Sequence, residues 1–306
     1  MEDQRMKGLA SWPRILVAFG VLCTIGCLSC DWFQDDAPNY GPSDLTMIRI
    51  PSGSFSMGSS DENAGEDEAP VHTVTLDSFR ISKYEITQSL FQELMGYNPS
   101  WFTVAGVSDD YPVESVTWYD ALEFCNKISL LEGLEPVYVI TLRNPATGPI
   151  RSATVVAEFE FPADVDGIQK PKNGYRLPTE AQWEYAALGK TGNVYFWGDS
   201  NLPETAKVHA WFSVNADNSP HTAGLKRANT WGLYDMAGNV WEWCWDRYGP
   251  YSDAASTNPR GPDSNVDRVL RGGSWSDPLG SMRAAARLYG DPVSVSRNYG
   301  FRVVAP

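Results

Sequence analysis

Histidine is nearly missing from this chain. His72, His209 and His221 are the only three among 306 residues, and they stand far apart. No two fall four residues apart on one helix, which excludes the helix-borne zinc site of metallohydrolases. Cysteine is scarce where a folded domain could use it. Three of the five (Cys23, Cys27, Cys30) precede residue 31, and none follows Cys244. No Gly-x-Ser-x-Gly word marks a serine nucleophile. Positive charge is in deficit, with 24 Lys and Arg against 38 Asp and Glu and a net charge of -14. With no basic patch, such a surface repels phosphate backbones, so no nucleic-acid partner is expected. Heptad runs and tandem repeats are absent. The longest apolar stretch, Ile15 to Leu28, is too short and too poorly flanked for a membrane span.

What is present supports a globular body. Hydrophobic residues make up 42% of the chain, enough for a sizeable core. Twelve Trp and fourteen Tyr sit mostly inside motif words, where core packing is their expected role. The N-terminus reads as a targeting segment. Arg5, Lys7 and Arg14 precede the apolar stretch, which ends in a cysteine cluster. Residues 1–29 therefore read as a bacterial lipoprotein signal. Cys30, after Ser29, is the favoured lipid-modified residue, because the polar region begins directly after it. Cys27, after Gly26, is the alternative, and a plain secretory signal is the other reading. An acylated cysteine would hold the chain on a lipid bilayer by acyl burial. The expected location is the cell envelope, at the outer-membrane surface. Residues 30–46, rich in Asp, Pro, Gly and Ser, read as a flexible tether. In an oxidising compartment, Cys125 and Cys244 are compatible with one disulfide or with two buried thiols.

Local patterns then lay out an α+β body that is loop-rich, with short strands and a few helices. Met47 to Gly58 alternates as a first strand and turn, and Val71 to Ile81 as a second strand. Helices are expected over Gln88 to Met95 behind a Thr87 cap, Trp118 to Leu131, and Thr179 to Leu188. The last opens with Thr179 and Gln182 at capping-box spacing. Residues 136–166 read as an inserted hairpin, with β-rich runs at Val137 to Leu142 and Ala153 to Phe161.

The C-terminal stretch, residues 268–304, is built differently. A stiff frame runs through it: Gly272-Gly273-Ser274-Trp275, Arg283-Ala284-Ala285, Arg287, Pro292, Arg297 and Gly300-Phe301-Arg302. Between the frame residues lie Ser276, Asp277, Pro278, Leu279, Gly280, Ser281, Ala286, Leu288, Tyr289, Gly290, Asp291, Val293, Ser294, Val295, Ser296, Asn298 and Tyr299. None of these is Lys, Glu, Gln, Met or Trp. Those five types cannot be reached from an asparagine codon by changing its adenines alone. Ordinary composition would avoid all five at so many positions only about one time in forty. The pattern points to a surface varied by adenine mutagenesis, against a plain loop-rich terminus of small residues. Arg283, Arg287, Arg297 and Arg302 would pin the segment through multi-donor hydrogen bonds. Tyr289 and Tyr299 are the best anchors for a partner. Trp275, Arg283, Arg287 and Arg302 are expected to matter for folding.

Residues 47–306 resemble the formylglycine-generating-enzyme domain family, a variant of the C-type lectin fold. The matching words are Ile50 to Gly58, Lys83 to Thr87, Pro112 to Trp118, Tyr175 to Tyr185, Trp231 to Trp243, and the C-terminal Arg-Gly-Gly-Ser-Trp and Gly-Phe-Arg. Within the family, the C-terminal pattern is similar to that of the variable protein of a Treponema diversity-generating retroelement. The resemblance implies a single domain and, in catalytic members, two copper-binding cysteines after the Gly-Gly-Ser word. Here Asp277 holds the first of those positions, and no cysteine is available for the second. Copper and oxidase chemistry are therefore not expected. The resemblance also implies a structural Ca²⁺ in the turn Asp235 to Glu242. Its ligands would be the side chains of Asp235 and Glu242 and the carbonyls of Gly238 and Val240.

The expected function is a non-catalytic, envelope-displayed protein that binds an extracellular protein or glycan through its varied C-terminal residues. A constitutive structural or accessory lipoprotein of the same fold is the alternative. An enzyme with an unrecognised site comes third.

Overall fold

The computed structural model describes residues 45–103, 109–157 and 172–306. The signal segment, Cys27, Cys30 and most of the tether lie outside the described residues, as does the end of the 136–166 excursion. In chain order the strands are β1 (Met47–Ile50), β2 (Gly53–Met57), β3 (His72–Leu76) and β4 (Phe79–Ser82), followed by helices α1 (Gln88–Met95) and α2 (Trp118–Leu131). Then come β5 (Tyr138–Asn144), β6 (Ser152–Ala157), α3 (Glu180–Leu188) and the single turn α4 (Pro203–Ala206). The C-terminal half adds β7 (Trp241–Arg247), β8 (Ser256–Thr257), β9 (Arg268–Arg271), β10 (Arg287–Gly290), β11 (Tyr299–Gly300) and β12 (Val304–Ala305). The sheet orders are β1-β4-β12, β10-β9-β7-β11, β2-β3-β8 and β5-β6. This is the expected mixed fold of short strands and few helices.

The three main helices start where their caps put them. Thr87 Oγ1 accepts from Leu90 N, and α1 ends at Gly96 in the left-handed region. Thr117 and Asp120 exchange hydrogen bonds at the head of α2, as do Thr179 and Gln182 at the head of α3. Such reciprocal caps satisfy amide donors that a helix leaves unpaired. The β5-β6 pair forms the strand-turn-strand expected there. Two expected strands are each two. Pro51 and Ser52 break the first run, so β1 joins β4 while β2 joins β3. Asp77 and Ser78 break the second. Cys125 and Cys244 are both buried free thiols, so the disulfide reading is not met.

Two apolar clusters fill the body. One gathers Phe91, Trp118, Phe124, Trp243 and Phe301 beneath α1 and α2. The other gathers Ile50, Leu76, Trp183, Phe212 and Val304 around α3. Buried charge is threaded between them. Arg302 Nε donates to Glu242 Oε2 at 2.6 Å and Nη2 to Oε1 at 2.7 Å, with both side chains fully buried. Arg287 makes the same two-pronged contact with Glu180, at 2.7 and 3.0 Å. Arg283 grips both oxygens of Glu68, and Arg271 pairs with Glu184. Further donors go to carbonyls, Arg302 to Ser82 and Tyr234, Arg287 to Asp67 and Gly249, Arg271 to Ala285 and Ala286, while the Nε atoms of Arg271 and Arg283 make no hydrogen bond among the described residues. Each guanidinium thus joins the C-terminal stretch to a segment far upstream.

Removing one partner strands the other as a buried charge, which costs about 3–5 kcal/mol. Arg302→Met and Glu242→Gln should each lower unfolding free energy by about that much in urea titrations. The double variant should lose clearly less than the two losses added together. Strict additivity would show that the pair is not the unit described.

Candidate functional site

Past β9 the chain turns sharply at Gly272 and Gly273, with φ of +102° and +76°. A Cβ on Gly273 would sit 2.7 Å from the Ser281 carbonyl, so only glycine fits. This turn brings two ends of the segment together. Trp241 Nε1 donates to Asp277 Oδ2 at 2.9 Å, and Ser274 Oγ donates to the same oxygen. Asn298 Nδ2 donates to Ser274 Oγ at 3.1 Å and Ser276 Oγ at 3.2 Å, while Ser296 Oγ donates to Asn298 Oδ1. Four of the proposed varied residues, Ser276, Asp277, Ser296 and Asn298, therefore form one polar cluster. Tyr299, the next residue, stands edge-on to Trp243, with centroids 5.4 Å apart.

The middle of the segment is β10, an edge strand. Tyr289 faces outward at 50% exposure, with its ring 4.4 Å from Tyr248. Leu288 packs partly into the core, and Gly290 lies against Trp243. Asp291 then opens a loop: its Oδ1 accepts from Val293 N, and its carbonyl from Ser294 N. That loop is stitched to the body where Trp118 N donates to Pro292 O and Ser115 N to Ser296 O.

Exposure sorts the seventeen candidates unevenly. Ser276, Pro278, Gly280, Tyr289, Asp291 and Val295 are exposed. Asp277, Leu279, Ser281, Leu288, Gly290, Val293, Ser294, Ser296, Asn298 and Tyr299 are half-buried. Ala286 is a correction. It is 4% exposed, and its carbonyl accepts from the buried Arg271, so it belongs with the frame. Two frame assignments change as well. Arg297 is exposed and stacks on Trp101, its guanidinium carbon 3.6 Å from the ring centroid, so it is no buried pin. Trp275 is half-buried rather than core, edge-on to Phe102 and donating to the Arg297 carbonyl. Arg283, Arg287 and Arg302 pin the segment as expected.

The turn expected to hold Ca²⁺ is tight. Gly238 has φ +80°, and a Cβ there would lie 2.0 Å from the Trp211 carbonyl. Asp235 is buried with Oδ1 unpartnered, while Oδ2 accepts from Gly224 N. Burial is the main reason its carboxyl is raised to about 6. Burial, and then the Asp235 and Glu242 carboxylates, push Glu85 well above the usual range. The orphaned oxygen suits a cation, but Glu242 does not fit. Arg302 holds both of its oxygens, and Trp183 Nε1 donates to one of them at 2.7 Å. Among the described residues, no group of three or more His, Cys, Asp or Glu side chains is placed to hold a metal ion. The four-ligand set of Asp235, Gly238, Val240 and Glu242 is therefore not what this arrangement offers. A guanidinium already neutralises its last member.

Sequence reasoning overlooked several residues around the surface. Trp101 is 61% exposed beside Arg297, and Val214 is 56% exposed next to Ser213, whose amide donates to Asp277 O. It also overlooked Asp246, whose Oδ2 accepts from Glu180 N at the head of α3. Burial first, then the Glu180 carboxylate, raise Asp246 to about 8. This group holds its proton more tightly folded than unfolded, where carboxyls titrate near about 4. Its stability contribution is complete below about pH 4 and is lost as pH climbs through its folded value. The melting temperature should accordingly fall between pH 5.5 and pH 9. Asp246→Asn should flatten that decline, and a decline of unchanged slope would contradict the assignment.

Comparison with known proteins places these features in context. The model of the sulfatase-modifying factor enzyme 1-like domain matches residues 35–306. The solved structure of Treponema denticola variable protein 1 superposes with a TM-score of 0.71 at 33% identity, covering 85% of this chain and 95% of that one. Chaperone protein LppX of Paenibacillus barcinonensis is 36% identical over 76% of this chain and 81% of its own length. The formylglycine-generating enzyme of Streptomyces coelicolor is 32% identical over 84% of this chain and 88% of its own.

Proposed function

This chain belongs to the sulfatase-modifying factor enzyme 1-like domain family, and within it we propose a non-catalytic, envelope-displayed lipoprotein that binds an extracellular ligand through a retroelement-varied C-terminal surface. One observation carries the reading. Between Arg271 and Arg302, buried arginines hold the backbone, while all but one of the seventeen candidate side chains are exposed or half-buried and none of those seventeen is Lys, Glu, Gln, Met or Trp. Stability and recognition thus fall on different residues, which is what a diversified surface needs. A backbone already fixed also loses little entropy on binding. The similarity to a Treponema variable protein supports the same reading.

The oxidase chemistry of formylglycine-generating relatives lacks its nucleophiles here. Asp277 takes the place of the first cysteine and is spent on Trp241 and Ser274. A carboxylate held this way offers no thiolate for copper or for exchange with a substrate thiol. The proposed anchor is an acyl chain on Cys30, or on Cys27. Among the described residues, no helix is long and apolar enough to cross a membrane. The ligand is a protein or a glycan. A second reading, a constitutive accessory protein of the envelope, draws support from the similarity to a chaperone protein.

The DNA around the gene separates the two readings. Varied-surface function predicts a nearby reverse transcriptase gene and a near-copy of the segment encoding residues 268–304. That copy should carry adenines at the codons for exposed positions such as Tyr289, Asp291 and Val295. Flanking DNA with neither feature would favour the constitutive reading. For the anchor, cells fed a fatty-acid analogue should label the wild-type chain but not a Cys27→Ser/Cys30→Ser double variant. Label that survives in the double variant would rule out both cysteines.

A further inference from the structure

The loop between α1 and α2 supplies an exposed tryptophan that the packing of the body does not require. Trp101 is 61% exposed, yet its loop is held from beneath by two buried side chains. Glu114 is fully buried, and its Oε1 accepts from Phe102 N at 2.8 Å. Its backbone N–H donates to Ser100 Oγ at 3.2 Å. Gln88 is 2% exposed; its Nε2 donates to Phe102 O at 3.0 Å, and its Oε1 accepts from Asn98 Nδ2 at 3.0 Å. Asn98 in turn accepts from Ser100 N. Phe102 meets Trp275 edge-on at 5.4 Å, and Trp275 Nε1 donates to Arg297 O. Trp101 and Arg297 are thereby locked side by side from both directions.

The Arg297 guanidinium lies 3.6 Å above the Trp101 ring. It forms no ion pair within the described residues. Glu114, the acid nearest in the loop, spends its oxygens on Phe102 N and on Ser115 Oγ, the latter at 2.7 Å. Stacking occupies the face of a guanidinium and leaves its N–H edge directed sideways. That edge matches a carboxylate with two parallel hydrogen bonds. On a chain of net charge -14, an exposed arginine whose acidic neighbour Glu114 is buried and hydrogen-bonded to Phe102 N and Ser115 Oγ is an uncommon spot of positive potential. Apolar surface adjoins it, with Val295 at 47% exposure two residues before. An indole, a guanidinium and apolar neighbours are the composition of interface centres that take protein side chains.

Building on the ligand-binding reading, we propose that Trp101 and Arg297 form a constant clamp beside the varied residues, which grips a carboxylate side chain of a protein ligand next to an aromatic residue. The varied positions then select among ligands, while the clamp supplies a contact common to them.

The probe is acetyl-Phe-Glu-Phe-amide, titrated into the ¹⁵N-labelled full chain, with acetyl-Phe-Gln-Phe-amide and 3′-sialyllactose as comparators. The Trp101 indole and Arg297 Nε resonances are assigned from Trp101→Ala and Arg297→Gln spectra. Both resonances should shift saturably with the glutamate peptide, and the glutamine peptide should bind at least about tenfold more weakly. Arg297→Gln should abolish the response and leave the melting temperature within about 2 °C of wild type, as expected for an exposed side chain. Equal response to both peptides, or a response retained in Arg297→Gln, would overturn the clamp. Saturation by sialyllactose in place of the glutamate peptide would overturn the choice of a protein ligand. Neither result bears on the coding-DNA test of the varied surface, and failure of that test leaves this titration intact.

Discussion

Buried arginine–glutamate pairing is the constraint on which the rest of this structure depends. The segment from Arg271 to Arg302 has little regular structure, with two short strands, one helical turn and a sharp bend at Gly272 and Gly273. Such a stretch has few ladder hydrogen bonds to hold it. Arg271, Arg283, Arg287 and Arg302 reach inward and meet Glu184, Glu68, Glu180 and Glu242. Desolvating charge is costly, so each pair stabilises only because the guanidinium donors are largely matched. The carboxylate partners come from the loop before β3, from α3 and from β7. Loss of one pair would therefore loosen two distant parts of the chain together.

That arrangement also explains how a surface can change without unfolding its carrier. The pinning side chains point inward, while Tyr289, Asp291 and Val295 point out. Little of the core rests on the outward side chains. The polar cluster of Ser276, Asp277, Ser296 and Asn298 is an intermediate case, since its members bond to one another. Substitutions there act in groups, because a lone change leaves a neighbour unpaired. Trp101 and Arg297 add a third kind of residue, exposed but immobilised through the loop beneath.

Much of this was legible in the sequence, for identifiable reasons. The first and third helices announce themselves through Thr87 and Thr179, whose caps are local chemistry. The family words mark the fold because each carries residues the core uses, such as Trp183, Glu242 and Phe301. Two strand runs were read as single strands because alternation continues across a bend, and only pairing partners reveal the break. Ala286 was misjudged because its burial is imposed by Arg271, which arrives from another strand. Arg297 was misjudged because an arginine that pins and one that stacks look alike in one dimension. Glu242 was assigned to calcium because the turn is suited to it, but Arg302 lies sixty residues away in sequence and claims both oxygens. Trp101 gave no signal, since exposure of an indole depends on what surrounds it in space.

The separation of frame from surface can be measured directly. Two libraries of the chain would be displayed on cells, one randomised at Ser276, Tyr289, Asp291 and Val295, the other at Arg271, Arg283, Arg287 and Arg302. Each would be sorted for resistance to protease, which reports the folded fraction. The account predicts that most surface-library clones stay resistant, while the arginine library collapses to near wild-type sequence. Comparable loss of resistance in both libraries would show that the outward residues also hold the fold, and would contradict the central claim.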